Sequence, residues 1–425
     1  MTKRLIFAAA LCSLGGLVFG YDLGALSSAS QTLRDFFALS PGMFGMTISA
    51  SLWGTVCGAP LAGAVVDRLG RRRLISFCAL VYALAAAGLA VPAISGWHAV
   101  LVLRFLSGTA IGGFTVACPL YLAEMAPKEL RGRLVSLFQV QVGIGVVAAF
   151  GLGAVLIRTV PASLYWRWCF GLGAIPAGLL CLLAPGLPRD PRQLAGEANG
   201  DANGIEAAVT PVHRERLFQR KYLRPLLWAT SIAVFNQLSG VNILLLYMLD
   251  VLSSAGLGQM LGHTYTVWIS SLSLAFTVVG LSFVDRLGRK PLLILGSAGM
   301  FVCLALLAAA IPHRIEPLFY LCLFAAYNLC FAFSQGTVVW VYLSELFPPA
   351  VRGAGQGYGT TVHWMANAGL IWLFPVVNHA SKHASPARSF YALALLMVVQ
   401  IGVVWLWYPE TKGTVLGAAA SNAGP

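Results

Sequence analysis

A chain of 425 residues with 58% hydrophobic and 10% charged residues is far from a soluble domain, in which about a quarter of residues are charged. About twelve bilayer spans of ~20 apolar residues consume about 240 residues, so length and composition together describe a polytopic membrane protein with short connections. The net charge of +13 does not point to nucleic acid, which requires basic residues gathered as a patch on a soluble fold; loops facing the cytoplasm account for it. The nine cysteines all fall inside apolar runs without metal-ligand spacing and read as small packing residues.

Apolar runs between charge clusters predict twelve helices, over 5–28, 43–66, 74–93, 97–122, 133–157, 165–185, 225–253, 264–284, 291–311, 317–344, 354–378 and 387–408. The first run has the basic start and apolar core of a signal peptide, yet it continues through Tyr21 and Asp22 without a small-residue cleavage site and is read as span 1. Twelve spans put both termini on one side, and 21 of the 28 basic residues lie on that side, from Lys3 and Arg4 to Lys412. By the positive-inside rule that side is the cytoplasm, and the expected location is a cell membrane of the bacterial inner-membrane kind.

The longest connection joins spans 6 and 7. Its GEANGDANG half reads as a flexible linker, and its HRERLFQRKYLR half as a short amphipathic helix drawn to anionic lipid at the inner surface. The expected organisation is a six-helix bundle over residues 1–185, a cytoplasmic linker over 186–224, a second six-helix bundle over 225–410 and a short cytoplasmic tail over 411–425.

The two halves repeat. DRLGRRR at Asp67 recurs as DRLGRKP at Asp285, an offset of 218; Glu124 and Arg131 of YLAEMAPKELRG recur as Glu345 and Arg352 of YLSELFPPAVRG, an offset of 221; and GYD at Gly20 faces GVN at Gly240, an offset of 220. Near-constant offsets indicate two copies of one six-helix unit, as in transporters built from parallel repeats.

With FGYD in span 1, PLYLAEMAP then RG after span 4, NQLSGVN in span 7, YLSELFPPAVRG after span 10 and the terminal PETKG, the chain resembles the major facilitator superfamily. Within it, the chain is similar to the sugar porter family, in particular to bacterial proton-coupled monosaccharide symporters. The resemblance implies an all-α integral membrane fold of twelve transmembrane helices in two pseudo-symmetric six-helix bundles. Read as residues alone, the DRLGR segments are tight turns: Gly70 and Gly288 permit them, Asp67 or Asp285 can meet the positive end of a neighbouring helix, and Arg71 and Arg289 can fork onto carboxylates. The resemblance adds a cytoplasmic lock, in which Glu124, Arg131, Glu345 and Arg352 form ion pairs between the halves with the DRLGR arginines.

Ionisable residues within spans are costly and mark function or packing. Asp22 in span 1 and Arg104 in span 4 admit two readings. One is a static buried ion pair. The other is a proton site: burial favours the neutral acid, a neighbouring guanidinium favours the carboxylate, and alternation between these environments captures and releases a proton. The resemblance favours the second, since similar proton-coupled members carry Asp in FGYD and passive ones often carry Asn.

Uncharged polar groups at membrane depth are Gln139, Asn236, Gln237, Asn242, Trp340, His363, Trp364 and Asn367. Singly, each reads as helix–helix hydrogen bonding or packing. Amides suit vicinal hydroxyls and an indole face suits the C–H side of a pyranose, and the resemblance makes the set, with Phe19 as an aromatic wall and Tyr247 as an outer gate, the sugar-binding residues. Several positions depart from the family pattern. Asn236 stands where Gln is usual, Leu246 replaces a gate Tyr, and Gly336–Thr337 replaces a Gly-Pro break, which predicts a stiffer span 10. His363 occupies an Asn or Gln position, either as a neutral substitute or as a second titrating group. Arg189 stands where the motif after span 6 has Glu.

The expectation is therefore a secondary transporter importing a hexose or pentose with a proton through alternating access. Its partners are the small sugar and membrane lipid, with no nucleic acid; a single chain suffices, and no cofactor is needed beyond the coupling proton. The alternatives are a passive sugar facilitator, a proton-coupled polyol or inositol carrier, and, most distantly, a non-transporting sugar sensor. No nucleophile or metal constellation suggests an enzyme.

Overall fold

The computed structural model describes residues 3–94, 96–125, 131–188, 216–246, 259–313, 316–348, 351–380 and 386–410. The chain divides into two compact units, residues 1–39 with 46–213 and residues 40–45 with 214–425. The first carries α1 (Lys3–Phe37), most of α2 (Pro41–Leu69), α3 (Arg71–Ala90), α4 (Trp97–Met125), α5 (Arg131–Thr159), α6 (Ala162–Gly171) and α7 (Ala174–Leu183). The second carries α8 (Leu223–Leu238), α9 (241–246), α10 (Gln259–Leu287), α11 (Arg289–Ala310), α12 (Pro317–Phe333), α13 (Gln335–Glu345), α14 (Arg352–Ala380) and α15 (Pro386–Trp407).

Among the described residues, ten helical segments are long and apolar enough to cross a membrane; α10 and α14 have the length, at 29 residues each, but carry more polar side chains. Large apolar side chains point outward: Leu182 is 79% exposed, Leu406 71% and Trp268 70%. In water such a surface would aggregate; in lipid it is the solvent-facing side. The first unit is held by close helix contacts, most clearly between α1 and α5. A Cβ on Gly16, Gly20 or Gly24 would fall on the Phe138 carbonyl, the Val142 carbonyl, and the Val146 carbonyl with the Ala149 side chain, respectively. Small residues at every fourth position let the two backbones touch, which is how helices associate where lipid offers no hydrophobic drive.

Among the described residues three spans are interrupted, each for a local reason. Span 6 breaks between α6 and α7, a break not foreseen from the sequence. Pro176 has no N–H for the Leu172 carbonyl, and the Ile175 N–H takes it at 3.1 Å. Span 7 breaks at Gly240, whose φ of +86° suits glycine. Span 10 breaks at Ser334, where φ is −112° and ψ −88° and the hydroxyl donates to the Cys330 carbonyl at 2.6 Å. A serine that bonds back into its own helix bends it, so the expectation of a stiffer span 10 from Gly336–Thr337 fails: the break moves two residues upstream. The connection before α8 also differs from expectation. Instead of an amphipathic helix, its described part holds a 3₁₀ turn at Arg220–Tyr222, with Tyr222 and Leu217 buried in the second unit's core. The rest of the linker and the tail over 411–425 lie outside the described residues.

The DRLGR turns take their expected form, with φ of 80° at Gly70 and 93° at Gly288. The start of α11 is met by Glu410 of PETKG, which accepts from the Arg289 and Lys290 backbone N–H groups at 3.0 Å each. A carboxylate at a helix N-terminus satisfies orphan donors and opposes the helix dipole. Glu410→Ala is expected to lower the stability of the purified protein by about 1 kcal/mol, measured as a fall in Tm, with Glu410→Gln intermediate.

Candidate functional site

Asp22 sits just past the middle of α1 and is 2% exposed. Arg104 of α4, fully buried, grips it with both nitrogens: Nη1 donates to Oδ1 at 2.6 Å and Nη2 to Oδ2 at 3.1 Å. Nη2 also donates to the Ser51 hydroxyl of α2 at 2.7 Å, which in turn donates to Asp22 Oδ2 at 3.4 Å. The Tyr82 hydroxyl of α3 donates to Oδ1 at 3.1 Å, and the Phe170 ring of α6 lies 4.6 Å from the guanidinium carbon. Two-pronged geometry, added donors and an aromatic cover are what a desolvated ion pair requires. The sequence pointed to the two charges. It missed Ser51, Tyr82 and Phe170, whose only signal was a hydroxyl within an apolar run or an aromatic among many.

The second unit holds an amide cluster beside the breaks in spans 7 and 10. Gln237 of α8 is its centre: Nε2 donates to Asn236 Oδ1 at 3.0 Å and lies 2.8 Å from His363 Nε2 of α14, while Oε1 accepts from Asn242 Nδ2 of α9 at 2.8 Å. An amide nitrogen only donates, so the His363 ring is the acceptor in this contact. This arrangement uses His363 as a neutral substitute for an amide. Trp340 of α13 packs on its ring with centroids 5.0 Å apart, and Trp364 meets it edge-on at 5.3 Å. Side chains reach backbone carbonyls beside the breaks: Tyr327 donates to Ser239 O at 2.8 Å and Asn236 Nδ2 to Gln335 O at 3.3 Å. Behind them, Gln335 Nε2 donates to Gln400 Oε1 at 2.6 Å. Gln335 and Gln400 were not foreseen; their signal was an amide in each of two apolar spans.

Asn367, on the same helix as His363 and 1% exposed, has neither amide atom hydrogen-bonded among the described residues. Each buried orphan costs about 1–3 kcal/mol, so this side chain is the one most in need of a ligand or water. Phe19 is buried at 9% exposure and Gln139 is half-buried, both in the first unit. Tyr247 lies outside the described residues.

At the ends of the helices, Arg289 forms a two-pronged pair with Glu345, Nη2 to Oε1 at 2.9 Å and Nε to Oε2 at 3.2 Å. Glu345 thus meets the DRLGR arginine of its own unit. The start of α11 and the end of α13 lie side by side there. Arg71 is buried. The side chains of Asp67, Glu124, Arg131, Asp285 and Arg352 lie outside the described ones, as does Arg189.

The family model for sugar (and other) transporters matches residues 8–421. The glucose transporter GlcP of Staphylococcus epidermidis is 31% identical, over 97% of this chain and 96% of its own length. The D-xylose-proton symporter of Escherichia coli is 28% identical, over 96% of this chain and 93% of its own. A crystal structure of a D-xylose-proton symporter matches at a TM-score of 0.86 and 28% identity, covering 97% of this chain and all of that one.

Proposed function

Because the chain belongs to the sugar (and other) transporter family, we propose that it is a secondary active transporter importing a monosaccharide, a hexose or pentose, by proton symport through alternating access. The observation that carries the proton is the Asp22–Arg104 pair, a carboxylate fully enclosed at membrane depth with donors on both oxygens. Relatives named for glucose and for D-xylose support a monosaccharide as the cargo. Gln237, Asn242, Asn236, His363 and Asn367 supply donors and acceptors for its hydroxyls, and Trp340 and Trp364 supply flat apolar faces. By motif position Phe19 and Gln139 are sugar contacts too, and Tyr247 is an outer gate.

In this reading, protonation of Asp22 neutralises the charge that holds Arg104, and sugar replaces hydrogen bonds that the amide cluster now makes to itself. The Arg289–Glu345 pair, with Glu410 at the helix start beside it, forms part of the cytoplasmic network whose rearrangement accompanies opening. We put both termini in the cytoplasm of a bacterial inner membrane on the strength of the basic loops, and take a single chain as the working unit.

The test is uptake by the purified protein in liposomes, with a panel of pentoses, hexoses and inositols, with and without a pH gradient. Sugar-dependent acidification of the lumen by one class of monosaccharide is expected. Sugar flux without proton movement would make the protein a passive facilitator, and preference for inositols would reassign the substrate. Gln237→Ala, which removes the centre of the cluster, is expected to weaken sugar binding at least tenfold, equivalent to about 1.4 kcal/mol, in a binding titration.

A further inference from the structure

Tyr82 is fully enclosed in α3 at 2% exposure, and its hydroxyl ends in two places at once. It donates to Asp22 Oδ1 at 3.1 Å, and it fills the space over Gly173, where an added Cβ would lie 3.0 Å from the Tyr82 hydroxyl and 3.1 Å from the Tyr21 ring. Gly173 is the step between α6 and α7. The neighbouring Tyr21 hydroxyl is bound at the same step, donating to the Cys169 carbonyl at 2.9 Å, and Phe170 covers Arg104. The interrupted sixth span is therefore packed directly on the carboxylate's donors.

Resting on the symport reading, we propose that Tyr82 is a positioning residue for proton coupling: its hydroxyl favours Asp22 as the carboxylate, and the Gly173 step keeps that hydroxyl seated. A hydrogen bond donated to a charged carboxylate stabilises that form over the acid. A carboxylic acid also has fewer acceptor positions than a carboxylate. When Asp22 takes a proton, one of the bonds donated to it from α2, α3 and α4 must be given up or reversed, and a charge change becomes a rearrangement of contacts between helices. The other titratable or charged groups nearby are Arg104 from α4, Tyr21 from the same helix and Cys169 from α6. α2 contributes the Ser51 hydroxyl, α7 has only Cys181, and α5 has no titratable side chain between Arg133 and Arg158.

The experiment is the pH profile of sugar-driven proton uptake in proteoliposomes for the unaltered protein and for Tyr82→Phe, Gly173→Ala and Asp22→Asn. Losing the Tyr82 donor removes one hydrogen bond that the charged form of Asp22 accepts. The alkaline limb of Tyr82→Phe is expected to move up by about one pH unit, the size of one lost hydrogen bond to a charge. Gly173→Ala, which displaces the same hydroxyl without touching Asp22, is expected to move it less in the same direction. A Tyr82→Phe profile that falls in height with its limb unmoved overturns the inference. If that variant does not fold, an unmoved limb in Gly173→Ala overturns it. Should Asp22→Asn retain the limb, the proton-site reading itself falls; loss of the limb there with no shift in the other two sinks the Tyr82 role alone.

Discussion

Asp22→Asn is expected to abolish proton-driven accumulation while sugar exchange across the membrane persists. The asparagine keeps the shape of the carboxylate and one acceptor oxygen, so Arg104, Ser51 and Tyr82 retain part of their hydrogen bonding. It has no proton to exchange. Moving one proton across 100 mV contributes about 2.3 kcal/mol, and a tenfold ratio corresponds to about 1.4 kcal/mol, so the unaltered protein can sustain a sugar gradient on the order of fiftyfold. The variant should settle at equal concentrations inside and out. Counterflow of labelled sugar against an internal excess measures exchange independently of the gradient. Proteoliposomes in which the variant still concentrates sugar under a pH gradient would show that the coupling proton binds elsewhere.

What the sequence could reveal followed the physics of each element. The spans were legible because lipid demands long apolar helices, and the repeat was legible because turn chemistry recurred at one offset. Charges within spans stood out by their cost, which is why Asp22 and Arg104 were found. Their hydroxyl partners were not, because serine and tyrosine are common in apolar helices and only the fold brings Ser51 and Tyr82 to one carboxylate. The break in span 7 could be read from Gly240, whose positive φ is a property of its residue type. The break at Ser334 could not, since it depends on which carbonyl a hydroxyl reaches. The Arg289–Glu345 pair within one unit was not legible either, because a motif repeated in both halves does not say which of its arginines a carboxylate meets. Of the amide cluster, the members were legible and their directions were not. Only the structure fixes that Asn242 donates to Gln237 and that Gln237 donates to His363.

Arg104→Met should destabilise the protein by about 3–5 kcal/mol, the cost of leaving a buried charge without its partner. Methionine fills most of the volume and keeps contact with the Phe170 ring, so the loss reports the charge rather than a cavity. The cost falls on Asp22, which can escape it only by taking a proton. The double variant Asp22→Asn with Arg104→Met removes both charges and should be more stable than the sum of the two single losses implies, by about 0.5–3 kcal/mol for residues in direct contact. Thermal unfolding of the four proteins at several pH values measures the coupling. A cycle with no coupling at any pH would mean that the pair contributes nothing to the fold and that Asp22 tolerates its burial alone. The same substitution is expected to stop coupled turnover, since without Arg104 no group draws the proton from Asp22 once the sugar has left. A variant that is destabilised yet still accumulates sugar would separate the structural role of the guanidinium from proton release.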